Sequence, residues 1–340
     1  MYLVTGAAGF IGFNLCKELL LNRINVVGID NMNDYYDPYL KKARIEELIR
    51  ISKGKETFFK ICYEDIKNKK SMQKIFESYS PSKVIHLAAQ AGVRYSLKNP
   101  DEYIETNLNG FFNIIDNCRK YSIEHFLYAS SSSVYGGNTN MPFSESNSVN
   151  HPISLYAATK KSNELIAHTY SHIYGLPTTG LRFFTVYGPW GRPDMALFLF
   201  SKAIIEGKPI EIFNNGEMIR DFTYIDDIIT SMLKIIEKIP MPDNKFNTDS
   251  PNPSTSWAPY KILNIGNSTP SQLLDYVEAI ENELGIKAIK KFLPMQIGDV
   301  PATESNCLAL ESYIGFKPNT SIRIGIKKFI KWYKNFYLIT

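Results

Sequence analysis

Residues 1–12 read MYLVTGAAGFIG, a short apolar run that stops at glycine and then spaces Gly6, Gly9 and Gly12 three apart. Such a run, ended by glycine, reads as a buried parallel strand. The glycines let the backbone turn tightly, approach a pyrophosphate and pack the following helix on the strand. That helix, expected around Asn14–Leu21, aims its N-terminal amides and positive dipole end at the same spot. Ala8, Phe10 and Ile11 lie between the glycines and belong to the same cofactor-binding turn. A glycine turn alone carries little weight; the strand before it and the helix after it supply the rest.

Working outward, INVVGID (24–30) is the next strand and ends in Asp30, followed by Asn31 with no arginine or lysine beside it in sequence. A carboxylate there accepts both hydroxyls of an adenosine ribose and repels a 2′-phosphate, so NAD is expected in preference to NADP. The plainer alternative is that Asp30 only caps the turn after it. A helix over 39–50 leads to a third strand, TFFKICYED (57–65), whose end places Asp65 and Ile66 near an adenine amino group. KVIHLAA (83–89) is the fourth strand. Leu87, Ala88, Ala89 and Gln90 at its end would let a dinucleotide lie against the backbone.

Residues 100–119 read as one helix with Ile104, Leu108, Phe111, Phe112 and Ile115 on one side, part of that stripe being a candidate subunit interface. EHFLYASSSSVYG (124–136) is a fifth strand running into a serine-rich turn, which could equally be a flexible loop. ISLYAATKKSNE (153–164) then puts Tyr156 and Lys160 four apart, on one face of a helix. A phenol titrates near pH ~10, and a lysine ammonium or a nicotinamide cation beside it favours the phenolate. Such a pair takes a proton from a sugar hydroxyl while hydride leaves the same carbon; taken alone, it is also an ordinary amphipathic helix.

Strands alternating with helices give an α/β fold, a doubly wound parallel Rossmann sheet. Gly6, Asp30, Asp65, Ala89 and Ser131 all fall at strand ends, where ligands of such sheets bind. After a sixth strand, LPTTGLRFF (176–184), prolines multiply and elements shorten. The expected division is a dinucleotide-binding domain over 1–182, with returning elements near 224–239 and 260–266. A smaller, partly discontinuous α/β substrate-binding lobe would take 183–223 and 267–340, with helices near 194–207, 225–238, 270–284 and 321–337. NKFNTDSPNPSTSW (244–257) reads as a polar, mobile loop.

The net charge of +4 is small and the last helix carries many of the lysines, so no nucleic-acid partner is expected. The four cysteines show no CxxC spacing and no apolar run nears the roughly 18 residues of a membrane span. With no basic leader, the expectation is a reduced, cytoplasmic protein without a membrane partner. His168 and His172 lie four apart with no third ligand, so no metal site is expected.

TGAAGFIG (5–12), HLAAQAGVRYS (86–96), SSSSVYG (130–136), YAATK (156–160), RFFTVYGPWGRPDMA (182–196), RDFTYIDDI (220–228), NIGNS (264–268) and GDVPAT (298–303) together resemble the extended short-chain dehydrogenase/reductases, specifically the nucleotide-sugar 4-epimerases. AAQAGVRYS and TVYGPWGRPDMA are most similar to the UDP-glucuronate 4-epimerase branch. The resemblance implies a tightly held NAD that is reduced and reoxidised in each turnover. It makes Tyr156 the base, lets Lys160 bind the nicotinamide ribose and depress the tyrosine, and sets Ser131 on the reacting sugar oxygen. Arg220 would hold the diphosphate and Asp299 the uridine ribose, with Asn107 near a catalytic water. The partners implied are a UDP-sugar and a second copy of the chain.

Dehydratases and decarboxylases of this group carry carboxylates where Ser132 and Ser133 stand, which argues against both side reactions. Arg192 offers a fork for a C5 carboxylate, helped by Ser131–Ser133 and Thr185, with Arg94 the next candidate. Gln296 replaces a phosphate-binding arginine of galactose-type epimerases, and Glu304-Ser305-Asn306 replace a common Tyr-Ala-Asp. Two other readings remain: a 4-epimerase of neutral UDP-hexoses or their N-acetyl forms, and a dinucleotide sensor without turnover. The first is disfavoured because an unpaired buried Arg192 would be expensive.

Overall fold

Seven parallel strands form the central sheet in the computed structural model, which describes residues 1–296 and 298–339. In chain order the strands of the protein are β1 (Tyr2–Thr5), β2 (Val26–Ile29), β3 (Phe59–Cys62), β4 (Lys83–His86), β5 (His125–Ser131), β6 (Thr178–Phe183) and β7 (Thr185–Tyr187). They continue with β8 (Ile210–Ile212), β9 (Ile219–Arg220), β10 (Phe222–Tyr224), β11 (Tyr260–Ile265), β12 (Ser271–Gln272) and β13 (Lys290–Phe292). The large sheet runs β11-β6-β5-β4-β1-β2-β3.

Adjacent residues of these strands point to opposite faces, and both faces are apolar. Leu3, Val27, Val84 and Phe126 enter one buried cluster, while Val4, Val26, Ile85 and Leu127 enter the other. A parallel sheet covered on both sides requires such unbroken apolar strands. The helices Phe10–Leu21, Pro38–Lys55 and Ile225–Ile236 cover one face; Lys69–Tyr79, Phe111–Lys120 and Leu155–Tyr174 cover the other. The remaining strands make three two-stranded pieces, β10-β7, β12-β9 and β13-β8.

Three features differ from the sequence reading. The helix Lys69–Tyr79 escapes the pattern because its lysine-rich run carries only Met72, Ile75 and Phe76 as buried residues, although Asn68 caps it from the amide of Ser71. The helix expected over 100–119 is broken by a π turn, Glu105–Gly110. The extra residue in that turn rotates the downstream helix, so Phe111 and Ile115 are buried while Ile104 and Phe112 are exposed. The stretch 244–257 is pinned at its far end. Ser254 and Ser256 are buried there, and the Trp257 indole donates to His172 Nδ1 at 2.9 Å.

Candidate functional site

The glycine turn is as tight as its spacing requires. Gly6 sits at φ +72°, and a Cβ there would lie 2.8 Å from the amide of Ala88. A Cβ on Gly12 would lie 2.0 Å from the Gly6 carbonyl oxygen. The Phe10–Leu21 helix has no side-chain cap at Gly9, so its first amides, Phe10, Ile11 and Gly12 among them, remain available to an anion. Backbone brought this close beside a helix N-terminus fits a dinucleotide pyrophosphate.

Asp30 is buried and serves two backbone donors, Ala8 at 3.0 Å on one oxygen and Met32 at 2.9 Å on the other. It therefore caps its turn and braces the glycine turn together. A carboxylate has about four acceptor positions, which leaves two for ribose hydroxyls. Asn31 donates to Asp65 at 2.9 Å, bringing these two together beyond β2 and β3 beside the buried Ile66. Leu87 and Ala88 donate to the Thr5 hydroxyl at 3.2 and 3.1 Å, fixing the segment that continues through Ala89.

Asn107 is bound into the protein on several sides. Its amide is 1% exposed, accepts from the Gln90 amide at 2.8 Å, and donates to the Gln90 carbonyl at 3.0 Å and Thr159 at 3.2 Å. It holds the loop after β4 against the Leu155–Tyr174 helix. Sequence reasoning also missed two cations near Asp30. Lys41 and Arg44 are buried on the Pro38–Lys55 helix, at positions that continue the stripe of Leu40, Ile45 and Leu48. A charge on an apolar stripe was the available signal.

Ser154 caps the Leu155–Tyr174 helix from the amide of Ala157 at 3.1 Å. One turn in, Lys160 is buried and donates to the Ala129 carbonyl at 2.9 Å, and burial lowers it to about 8. Tyr156 departs from the expected depression. Burial raises its phenol above the ordinary value, while a hydrogen bond with Ser131 and the charge of Arg192 pull it back. The pull within the protein thus comes from Ser131 and Arg192, because Lys160 is turned to the Ala129 carbonyl. The serine run is no flexible loop either: Ser131 accepts from the Ser133 amide at 3.2 Å, capping a 3-10 turn over Ser132–Tyr135.

Behind this turn lies a buried ion pair. Glu164 (1% exposed) takes Arg182 (0% exposed) in a two-point contact at 2.8 and 2.9 Å and also accepts from Ser130 at 2.7 Å. Arg182 donates to the Tyr135 hydroxyl, which donates to Asn264 on β11 at 2.7 Å. The Leu155–Tyr174 helix, the serine turn and three strands are thereby locked into one arrangement.

Arg192, expected to meet a sugar carboxylate, is not an unpaired cation. Asp194 takes its fork, Nε at 3.0 Å and Nη2 at 2.5 Å, so the cost argument against neutral sugars falls. Thr185 and Arg192 line one small cavity with Phe10 of the glycine turn. Arg220 spends its donors on the carbonyls of Ile219, Pro301 and Val300 at 2.9, 3.2 and 2.7 Å, which holds the 300–301 segment. Arg94 pairs with Asp299 at 2.8 Å over the ring of Phe213, and the Gln296 Oε1 is buried without a partner among the described residues. The departure at 304–306 is packed: Ser305 donates its amide and hydroxyl to Asp221, which also takes the amides of Asn267 and Ser268. His168 bonds Ser256 at 2.8 Å, so both histidines of the HxxxH pair hold the 244–257 loop.

Residues 2–247 match the model of the NAD dependent epimerase/dehydratase family. Protein CapI of Staphylococcus aureus is 52% identical over 98% of this chain and 98% of its own. The probable UDP-glucuronate 4-epimerase of Rhizobium meliloti is 44% identical over 99% and 97%. Among solved structures, UDP-glucuronic acid 4-epimerase from Bacillus cereus, in complex with UDP-glucuronic acid and NAD, superimposes with a TM-score of 0.85 at 32% identity, covering 99% of each chain.

Proposed function

The chain belongs to the NAD dependent epimerase/dehydratase family, and from that premise we propose that it interconverts UDP-glucuronate and UDP-galacturonate by inverting C4 of the sugar. The observation that carries this reading is that Arg192 lines a cavity with Phe10 of the glycine turn, from where its charge, with the Ser131 hydroxyl, reaches the Tyr156 phenol. A C4 hydroxyl at the base then has its neighbouring C5 carboxylate near a cation. NAD, if bound, would supply the hydride acceptor for C4 and, as a nicotinamide cation, would favour the Tyr156 phenolate. The glycine turn and the Phe10–Leu21 helix hold its pyrophosphate, Asp30 and Asn31 its adenosine ribose, and Asp65 and Ile66 its adenine. Tyr156 takes the C4 hydroxyl proton as the carbon is oxidised and gives it back after the 4-keto sugar has turned over. Ser131 steadies the same oxygen. Ser130–Ser133 carry no carboxyl group, so the turn has no acid or base for elimination.

A second reading, epimerisation of neutral UDP-hexoses, is favoured by the pairing of Arg192 with Asp194, because the site is then already neutral. The two separate on substrate. NMR of products from UDP-glucuronate, UDP-glucose and UDP-N-acetylglucosamine is expected to show C4 inversion chiefly of the acid sugar. Hydrogen bonds to charged groups contribute ~1.5–3 kcal/mol, so Arg192→Ala should lower kcat/KM on UDP-glucuronate by about one to two powers of ten. Because that variant also strands Asp194, Arg192→Ala with Asp194→Ala is the cleaner comparison. Full activity of both variants on the acid sugar would move the carboxylate site elsewhere, Arg94 being next.

A homodimer is part of the same proposal. Ile104 and Phe112 are exposed on either side of the π turn, and Leu165 and Ile173 on the Leu155–Tyr174 helix that packs beside both segments. Exposed apolar side chains on neighbouring elements suit a second copy. Phe112→Glu with Leu165→Glu should convert the protein to its 38.8 kDa monomer in light scattering; an unchanged mass in the variant, or a monomeric wild type, would exclude this face. Free cysteines at Cys16, Cys62, Cys118 and Cys307 suit the cytoplasm, where UDP-sugars for polysaccharide synthesis are made.

A further inference from the structure

Arg44 is among the largest side chains the fold buries completely, and the proposed C4 inversion gives it no part. A buried guanidinium is expensive unless its donors are met. Among the described residues no carboxylate hydrogen-bonds this one, although the charge of Asp30 reaches it. Nη1 donates to the Ala8 carbonyl and the Tyr36 hydroxyl, each at 2.7 Å. Nη2 donates to the carbonyls of Trp190 at 2.5 Å and Gly191 at 3.1 Å, and Nε is buried without a partner among the described residues. Ala8 lies inside the glycine turn, whereas Trp190 and Gly191 immediately precede Arg192.

The segment Gly188–Gly191 is a turn closed by the Gly191 amide on the Gly188 carbonyl at 3.1 Å. Its third residue, Trp190, has φ +62°, a left-handed conformation that turns of this kind reserve for glycine. A bulky residue keeps such a conformation only where its surroundings over-determine it. Here they do. Arg44 grips the Trp190 carbonyl, and the indole packs against Phe13 at 4.9 Å and Trp332 at 5.4 Å. Phe13 sits on the helix that the glycine turn opens, so two independent contacts tie the Arg192 turn to the dinucleotide cradle.

We infer that Arg44 is a positioning residue that couples the two ligand sites, holding the Ala8 carbonyl in the cradle and the Trp190–Gly191 carbonyls of the sugar-side turn with one planar fork. A pyrophosphate in the adjoining cradle would add its negative charge to that of the nearby Asp30. The inference rests on the reading that the cradle holds NAD and that the 188–192 turn serves the sugar. Coupling between sites is reciprocal, so the sugar nucleotide must in turn secure NAD.

The test uses the protein as purified. NAD remaining per chain is followed during dialysis, with and without saturating UDP-glucuronate or UDP-glucose, for wild type, Arg44→Lys and Arg44→Gln. In wild type, either sugar nucleotide is expected to slow NAD loss. Arg44→Gln should lose NAD about tenfold faster or more, and the sugar nucleotides should no longer slow it. Arg44→Lys should fall between, because an ammonium lacks the planar fork. If Arg44→Gln does not fold, Arg44→Lys is read by the same criterion. Folded variants that lose NAD at the wild-type rate overturn the inference. So do variants that lose it faster while keeping full protection by the sugar nucleotides, since Arg44 then braces the cradle alone. A wild type that carries no NAD removes the premise and overturns it as well. Failure of wild type to invert C4 of UDP-glucuronate would instead sink the functional reading, leaving the UDP-glucose arm and NAD retention readable.

Discussion

Tyr156→Phe is expected to lower turnover of UDP-glucuronate by about 10²–10⁴-fold, the usual effect of removing a general base. The substitution deletes one hydroxyl and leaves the ring, which packs edge-on against Tyr103 with centroids 6.1 Å apart. Fold, melting temperature and bound nucleotide should therefore be unchanged, and the loss should fall on kcat with little effect on KM. In the protein alone the phenol is acted on by the Ser131 hydroxyl and the charge of Arg192, neither of which is a base that replaces a phenolate. A variant that turns over at nearly the wild-type rate would remove Tyr156 from the mechanism.

The second large effect concerns stability. Glu164→Ala leaves Arg182, at 0% exposure, as a buried charge with its carboxylate gone. Breaking a buried pair from one side costs about 3–5 kcal/mol, whereas replacing both members by apolar residues of similar volume is often neutral. Denaturant unfolding should show this loss for Glu164→Ala and substantial recovery for Glu164→Met combined with Arg182→Met. Glu164 also accepts from Ser130, next to Ser131. The double variant should thus regain stability without regaining full activity. A Glu164→Ala protein within about 1 kcal/mol of wild type would mean that this network does not carry the fold.

Much of this site is legible in the sequence because it depends on backbone rules and local periodicity. The glycine turn needs glycine where a Cβ would strike Ala88 or Gly6 itself, and spacing alone reports that need. Tyr156 and Lys160 follow from helical geometry. The hidden part depends on partners distant in sequence. Arg44 meets Trp190 and Gly191 through the fold, and nothing in YLKKARIEELIR points to them. The direction in which Tyr156 shifts is set by how deeply its phenol is buried, which no spacing reveals. The π turn over Glu105–Gly110 cannot be read from an apolar stripe, because an extra residue in one turn changes which side later residues face. Asp194 is the exception: lying two residues from Arg192, it was near enough to suggest the pairing that occupies the fork.

The sheet has one further consequence, for the order in which the molecule is made. β6 ends at Phe183 with every position buried, yet its outer neighbour β11 begins only at Tyr260. A nascent chain therefore completes the whole dinucleotide cradle while β6 is still an open edge, with unpaired amides and carbonyls along an apolar strand. Exposed edges of this kind invite pairing with other chains. The same late strand brings Asn264 to the Tyr135 hydroxyl at the serine turn. Sealing the edge of β6 and bracing the serine turn therefore both wait on one late strand, β11.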